Sequence, residues 1–245
     1  MADKIVYYHG CFANYYNPDM GKSLVEVMEK NGFEVIVPDQ MCCGMPQMAN
    51  SAVDAARKNY DFNMKSLARA AAPGYDIITT CPSCNMMIKK EGLPFFDSPD
   101  ARFVGERVYD ASEYLLKLYA EGRLDTRFGE VRAKVFYHNP CHLKVQDFLH
   151  SVTLLKMIPG IEIVSINRNC CGMGGSYGMK KQNRARSVEI AGKIWTEAGN
   201  CGADLAATEC GGCGLQIEAG TGMKVTHPII LVNQAYKAFK EQEAT

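Results

Sequence analysis

The sequence predicts an α/β fold: a tandem duplication of a Rossmann-like parallel-sheet unit, with cysteine loops at the carboxyl ends of the strands. Short β-rich runs alternate with segments of helical periodicity along the 245 residues. Strands separated by helices pair in parallel through right-handed crossovers. Three blocks of the first half also recur in the second at an almost constant offset, so that Cys11 corresponds to Cys141 and Cys84 to Cys213. Such repetition indicates two similar units.

The elements of the first half follow from residue type and periodicity. Runs rich in β-branched and aromatic residues predict strands at 4–8, 33–37 and 75–80, and a short one opening 107–122. Apolar spacing of 3.6 residues predicts helices at 21–30 and 51–72, and over the remainder of 107–122 with Asp110 or Ser112 as its cap. The pair Asn31-Gly32 ends the first of these helices, because such residues adopt the conformation that stops a helix.

The second half repeats this order. Its predicted strands are residues 134–138, 161–166 and 203–208, and its predicted helices are residues 151–158 and 183–199. The stretch 122–133 is polar and lacks the periodicity of its flanks. We therefore expect two domains, residues 1–125 and residues 126–245.

Composition excludes several classes of function. Lys plus Arg and Asp plus Glu both number 27, which gives no electrostatic reason to expect nucleic acid as a partner. No apolar run approaches the roughly 18 residues of a membrane span. The first residues lack the basic and apolar regions of a secretory signal. We expect a cytoplasmic protein, peripheral at the inner face of the membrane where its partner is membrane-bound.

Eleven cysteines are many for a reducing compartment, where clustered thiols are more often metal ligands or redox groups than disulfides. Ten of them follow predicted strands, five in each half. Open parallel sheets form their sites at the carboxyl ends of strands, so we expect three loops to converge there in each unit. The ten are Cys11, Cys42, Cys43, Cys81 and Cys84 in the first half, and Cys141, Cys170, Cys171, Cys210 and Cys213 in the second.

The adjacent pairs Cys42-Cys43 and Cys170-Cys171 favour a polynuclear metal cluster over a single metal ion. Zinc takes four tetrahedral ligands, commonly from two C-x₂-C pairs, and each half has only one such pair. Neighbouring cysteines can instead bind different irons, and thiolate ligation is the norm for iron–sulfur clusters. Zinc and redox-active or structural thiols remain the alternatives. Glycines in the same loops, such as Gly44 and Gly172, let backbone amides approach a bound anion.

The two halves carry the patterns C-x₃₀-CCG-x₃₆-C-x₂-C and C-x₂₈-CCG-x₃₇-C-x₂-C. These patterns resemble the cysteine-rich (CCG) domain family, which includes the B component of heterodisulfide reductase and the C-terminal part of the C component of anaerobic glycerol-3-phosphate dehydrogenase. The resemblance covers nearly the whole chain. It implies that the five cysteines of each half ligate one [4Fe-4S] cluster of the noncubane type, giving two clusters in all.

The resemblance also implies a function. It points to an iron–sulfur, electron-transferring subunit of an anaerobic oxidoreductase complex, of the disulfide reductase or quinone-linked dehydrogenase type. The ferredoxin-like motifs of some relatives are missing here, so electrons are expected to come from separate subunits, either ferredoxin-like or flavoprotein. A membrane-bound partner subunit is a further alternative. The acceptor or donor is a disulfide or a quinone. The alternatives are a pure electron-transfer subunit without its own substrate and a zinc-stabilised binding module.

Three other residues near the motifs have simpler interpretations. Cys201 lies outside both patterns, and we expect it to be a buried apolar cysteine. His9 precedes Cys11 by two positions, and His142 directly follows Cys141. Either imidazole could donate a proton or a hydrogen bond to a cluster sulfur, but a local hydrogen-bonding role is the commoner one.

Overall fold

A computed structural model describes residues 2–146 and 149–243 of the chain. These residues divide into two compact units, one ending at Asp125 and the other beginning at Thr126. Each unit is a mixed α/β structure around its own four-stranded sheet, and every strand pairing described within the sheets is parallel. The predicted α/β class and its duplication are therefore observed.

The first unit has the strand order β2-β1-β3-β4. Its strands are β1 (Asp3–Tyr8), β2 (Phe33–Ile36), β3 (Ile77–Thr79) and β4 (Val108–Asp110). Its helices are α1 (Gly10–Tyr15), α2 (Pro18–Lys30), α3 (Met45–Ala49), α4 (Val53–Ala71), α5 (Pro82–Met86), α6 (Pro99–Gly105) and α7 (Ala111–Ala120), and α5 runs on into a π-helical turn, Met87–Glu91.

The second unit has the equivalent order β6-β5-β7-β8. Its strands are β5 (Ala133–His138), β6 (Ile161–Asn167), β7 (Leu205–Ala207) and β8 (Val225–Thr226). Its helices are α8 (Cys141–Lys144), α9 (His150–Leu155), α10 (Arg184–Asn200), α11 (Gly211–Thr221) and α12 (Pro228–Glu243). Two 3₁₀ turns, Tyr177–Met179 and Lys181–Asn183, lead into α10.

Local chemistry explains where the longer helices begin and end. Helix α2 starts earlier than the sequence predicts because Pro18 occupies its first position, where a missing N–H costs nothing. It ends at Asn31 and Gly32, whose φ of +84° is left-handed. Helix α7 has a capping box: the Asp110 side chain accepts from the Ser112 amide, and Glu113 reaches back to the Asp110 N–H.

The central strands are buried on both faces, as parallel sheets require. In the first unit Ile5, Val6 and Ile77 are fully buried, and α4 packs Leu67 into the same core. In the second unit Phe136 takes the equivalent place. Among the described residues, none of the helices combines the length and the hydropathy needed to cross a lipid bilayer.

Helices α10 and α11 pack through Trp195 and Gly220. The Trp195 indole donates to the Gln216 carbonyl at 2.8 Å, and a Cβ placed on Gly220 would lie 1.9 Å from the indole ring. We predict that Gly220→Ala destabilises the second unit by about 1–3 kcal/mol, because overpacking outweighs the gain in helix propensity. Trp195 is the chain's single tryptophan, so its fluorescence during urea unfolding reports on this unit.

The matched control is Gly192→Ala in α10, where a new Cβ meets nothing within 4 Å. It should stabilise the same unit by roughly 0.5–1 kcal/mol, since alanine is the better helix former. Shifts of the same sign in both variants would contradict the close approach of the two helices.

Candidate functional site

The candidate ligands of the first unit lie just beyond the ends of three adjacent strands. Cys11 is in α1, two residues after the chain leaves β1 at His9. Cys42 and Cys43 lie in the loop between β2 and α3. Cys81 is the N-cap of α5, which contains Cys84 and follows β3. Since β1 pairs in parallel with both β2 and β3, the three loops leave the same edge of one sheet.

The five thiols of the first unit form one connected set of contacts. The Cys42 side chain is hydrogen-bonded with Cys11 and with Cys43, and the Cys84 side chain with Cys43 and with Cys81. Cys43 and Cys84 are buried, whereas Cys11 is exposed. The structure therefore brings together all five residues that the sequence predicts at this edge.

Crowding perturbs the pKa values of these thiols in opposite directions. Contacts with Cys11 and Cys43 lower the pKa of Cys42, and the contact with Cys42 in turn raises that of Cys11. The hydrogen bond from Cys84 lowers the pKa of Cys81 to about 7. The five thiols are packed so closely that they cannot all ionise, because the thiolates would repel one another. A bound metal cluster would neutralise this repulsion, since its cationic irons accept several thiolates as ligands. The donor set therefore fits a metal cluster.

The second unit repeats the arrangement. Cys141 opens α8 after β5, Cys170 and Cys171 follow β6, Cys210 is the N-cap of α11, and Cys213 lies within that helix. The Cys213 thiol donates to Cys171 Sγ at 3.0 Å and also contacts Cys210.

The remaining two thiols of this unit form a pair. Cys141 is hydrogen-bonded with Cys170, and it lies within electrostatic reach of Cys171. Burial raises the pKa of Cys141 to about 11, and the bond from Cys213 lowers that of Cys171 to about 7. The five thiols are thus a pair and a trio joined by charge interaction. Across residues 2–146 and 149–243, no group of three or more His, Cys, Asp or Glu side chains is arranged to hold a single metal ion.

The glycine of each CCG motif has the same structural task. Gly44 and Gly172 have φ values of +94° and +80°, which L side chains rarely adopt. In each unit this glycine donates its amide to the first cysteine of the pair, as in the 3.4 Å contact between Gly172 N and Cys170 Sγ. The motif therefore encodes a left-handed turn that points a backbone N–H at a sulfur.

Gly10 also borders the thiols. Its φ is +67°, and a Cβ there would lie 2.9 Å from Cys84 Sγ. Glycine is therefore needed here for space as well as for backbone conformation. Sequence reasoning did not single it out, although its position directly before Cys11 is a usable signal.

The three residues outside the predicted ligand sets occupy local roles. All eleven cysteines are free thiols, and Cys201 is half-buried with its thiol donating to the Ala198 carbonyl at 3.3 Å. His9 is half-buried, and its Nδ1 lies 2.8 Å from the Gly10 carbonyl oxygen. His142 is half-buried within α8.

Glu209 is a buried carboxyl that sequence reasoning passed over. It accepts a hydrogen bond from the Tyr137 hydroxyl at 2.8 Å, and burial raises its pKa to about 7. In the first unit Tyr7 makes the corresponding contact with Thr80 at 2.9 Å. A carboxyl in one unit therefore replaces a hydroxyl in the other. The extra residue before Cys210 in the second repeat is the signal that could have revealed it.

The buried side chain of His138, at the end of β5, should contribute to the stability of the second unit in a way that is lost in acid. It is fully buried, with Nδ1 3.2 Å from Asn167 Oδ1. Burial, helped by the charge of Lys144 and opposed by Asn167 and Glu197, lowers its pKa to about 4. Between the ordinary value of about 6.5 and pH 4, the unfolded chain binds a proton that the folded chain does not. Its contribution is therefore present above pH 6.5 and lost as pH falls to 4, a change of about 3 kcal/mol.

The variant His138→Phe should remove this contribution, so its second unit should lose about 2 kcal/mol less stability than the wild type between pH 7.5 and pH 5. The raised pKa of Glu209 acts in the opposite direction over the same range but is common to both chains, so it cancels in the comparison. The measurement is the free energy of unfolding of the second unit at pH 7.5 and pH 5, followed by Trp195 fluorescence. His9→Asn, in the first unit, is the control and should leave the dependence in place. An unchanged slope in His138→Phe would mean that another group is responsible.

Two α/β units that each gather five thiols from three strand-end loops define a tandem protein with paired candidate metal centres. The cysteine-rich domain family, CCG, matches the chain over residues 5–89 and 135–218. The chain belongs to this family.

Several relatives are similar over most of the chain. The C component of the anaerobic glycerol-3-phosphate dehydrogenase of Escherichia coli (strain K12) is 34% identical over 236 residues, covering 95% of this chain and 59% of the relative. The B component of the fumarate reductase (CoM/CoB) of Methanothermobacter marburgensis is 34% identical over 248 residues, covering 96% of this chain and 47% of the relative. An uncharacterized iron-sulfur protein of Methanocaldococcus jannaschii is 26% identical over 192 residues, 76% of this chain and 35% of that protein. The chain thus spans about half the length of the first two.

Proposed function

We propose that the chain is an iron–sulfur subunit of an anaerobic oxidoreductase complex and binds two [4Fe-4S] clusters of the noncubane type, one in each unit. The observation that carries the proposal is the gathering of five soft thiol donors at one sheet edge, twice. The proposed ligands are Cys11, Cys42, Cys43, Cys81 and Cys84 for one cluster, and Cys141, Cys170, Cys171, Cys210 and Cys213 for the other.

When bound, such a cluster supplies one-electron redox chemistry at a potential set by its surroundings. The residues of the chain determine those surroundings. Buried Cys43, Cys84, Cys171 and Cys213 keep part of each site dry, whereas exposed Cys11 and Cys170 leave one side open to solvent. The CCG glycines direct amides at sulfur, which stabilises negative charge there.

The relatives support the proposed role in a complex. Their names describe a subunit of an anaerobic dehydrogenase, a subunit of a reductase and an iron–sulfur protein. We propose that ferredoxin-like or flavoprotein subunits exchange electrons with this chain, and that its own acceptor or donor is a disulfide or a quinone. Two one-electron centres in one chain suit such a two-electron partner. Eleven free thiols suit a reducing compartment, so we place the complex in the cytoplasm.

Metal and sulfide analysis of the anaerobically purified chain tests the proposal. We expect about eight irons and about eight sulfides per chain, as two four-iron clusters require. The protein should be brown, and its reduced form should give an EPR signal. A colourless protein that contains zinc and no iron would overturn the proposal in favour of a zinc-stabilised module.

A further inference from the structure

The first unit has a groove beside the segment that carries Cys11. It lies where β1 ends, between α1 and α2, is open to solvent, and has a volume of about 390 Å³. This volume is within the range of roughly 300–1,000 Å³ found for small-molecule sites. The residues that form its apolar walls and floor are Tyr7, His9, Ala13, Gly21, Val25 and Val37.

Gly21 gives the groove its depth. It lies in the interior of α2, where glycine is about 1 kcal/mol less favourable than alanine. A Cβ at this position would meet the Tyr7 hydroxyl oxygen at 3.6 Å and Ala13 Cβ at 3.8 Å, which are ordinary contacts. Neither backbone conformation nor close packing therefore requires glycine at position 21. Its missing side chain leaves the space that forms the groove.

The polar atoms along the groove define the kind of ligand it suits. His9 Nδ1 lies 2.8 Å from the Gly10 carbonyl, so in the neutral ring Nδ1 donates to this oxygen and Nε2 is left as an acceptor. The exposed Asn14 at the rim provides an amide donor. The charged Lys22 and Glu26 are also exposed residues of the lining. Such a groove suits a flat, uncharged ring with oxygen atoms at its edge.

We propose that this groove binds the ring of a quinone, which rests on the proposed function and selects the quinone over the disulfide. A quinone carbonyl can accept from the Asn14 amide, and the hydroxyl of the reduced form can donate to His9 Nε2. Aliphatic and aromatic side chains of the groove can pack against an apolar ring, and the charges of Lys22 and Glu26 in the lining are of opposite sign, so the groove as a whole favours an uncharged ring over a disulfide that carries net charge.

The groove is also close to the proposed cluster ligands. Helix α1 carries both Cys11 and the groove residue Ala13. Tyr7, at the floor, is within electrostatic reach of Cys81 and Cys84. Only α1 and the Tyr7 side chain therefore separate a ring bound here from the thiols of the first unit, with which it would exchange electrons through a cluster.

The test measures the binding of duroquinone, a quinone whose ring carbons are all substituted so that they resist addition of the exposed cysteine thiols, to the anaerobically purified full chain by isothermal titration calorimetry. Gly21→Leu places a side chain in the groove and should weaken binding by at least about tenfold. The matched control is Gly192→Leu, another glycine inside a helix with open space around it, and its affinity should equal that of the wild type. Circular dichroism confirms that both variants fold.

A second variant keeps the test decisive if Gly21→Leu does not fold. Gly21→Ala fits without displacing its neighbours and improves helix propensity, so it should melt no lower than the wild type yet bind duroquinone several-fold more weakly. Equal duroquinone affinity in the wild type and the folded Gly21 variants would overturn the inference. Binding of glutathione disulfide, lost in Gly21→Leu, with no binding of duroquinone would overturn it as well.

Iron content separates this inference from the function on which it rests. A chain with its full iron that does not bind duroquinone contradicts the quinone groove alone. A chain without iron that binds duroquinone through Gly21 contradicts the proposed clusters and retains the groove.

Discussion

The variant Cys171→Ser is expected to lose the cluster of the second unit and to keep that of the first. Cys171 is buried and accepts the Cys213 thiol at 3.0 Å, and its charge interaction with Cys141 joins the ligand trio to the ligand pair. A serine oxygen is a harder donor than sulfur and is a poor replacement in a thiolate set. The variant Cys42→Ser should give the mirror result, because Cys42 links Cys11 to Cys43 in the first unit.

Iron and sulfide per chain should fall by about half in either variant, and one of two EPR components should disappear. A different component should be lost in each, since the two ligand sets belong to separate units. Cys201→Ser is the control and should retain all the iron, because its thiol donates to the Ala198 carbonyl and lies outside both sets. If both EPR components survive Cys42→Ser and Cys171→Ser alike, these cysteines do not ligate clusters.

The central strands were predictable because buried parallel strands leave a strong signal, whereas their order in each sheet was not predicted and is known from the structure. Runs such as residues 4–8 and 134–138 are apolar on both faces and stand in equivalent places of a repeated sequence. The convergence of the cysteine loops then followed from topology, since loops after adjacent parallel strands leave the same edge. Contacts among Cys11, Cys42 and Cys43 agree with that expectation.

The short helices at the cysteine edge could not be predicted in the same way. Helices α1, α3, α5 and α8 have between four and six residues, too few for an apolar period to be recognised. Strand β8, with two residues, carries no alternation at all. Tertiary packing at the sheet edge, rather than helix or strand propensity, determines where these short elements form.

Individual site features were missed for a related reason. The buried carboxyl of Glu209 depends on its contact with Tyr137, from a strand 72 residues away along the chain. The groove at Gly21 depends on the position of α2 above Tyr7 and Ala13. In both cases the local sequence shows the residue type, but the tertiary contact that determines the residue's role forms only when the chain folds.

The second large effect, a loss of stability, is expected when Gly172, the glycine of the second CCG motif, is substituted. In Gly172→Ala the new Cβ would lie 2.2 Å from the Ser187 carbonyl oxygen, on the backbone of α10. The Ser187 backbone and hydroxyl also receive hydrogen bonds from Gln216 of α11, so α10 cannot easily retreat. The φ of +80° adds the usual penalty of a left-handed L residue. We expect a loss of about 2–5 kcal/mol in the stability of the second unit, the sum of backbone strain and overpacking.

Substitutions at two other glycines distinguish backbone strain from overpacking. Gly202 has a φ of +68° and open space around it, so Gly202→Ala should cost only the backbone strain of about 1–2 kcal/mol. Gly44, the counterpart in the first unit, has a φ of +94°, but its Cβ would approach the Ala56 carbonyl oxygen only to 3.3 Å. We therefore expect Gly44→Ala to cost less than Gly172→Ala. Urea unfolding followed by Trp195 fluorescence measures the Gly172 and Gly202 variants, and far-ultraviolet circular dichroism measures the Gly44 variant.

Because the Gly172 amide donates to Cys170 Sγ, any shift of this residue also moves the cysteine pair. Gly172→Ala should therefore lose the iron of the second unit while Gly202→Ala keeps it, although both carry a left-handed alanine. Equal stability and equal iron content in the two variants would show that the CCG glycine contributes backbone conformation alone. A selective loss in Gly172→Ala would show that close packing against α10 holds the adjacent cysteines in register for their metal.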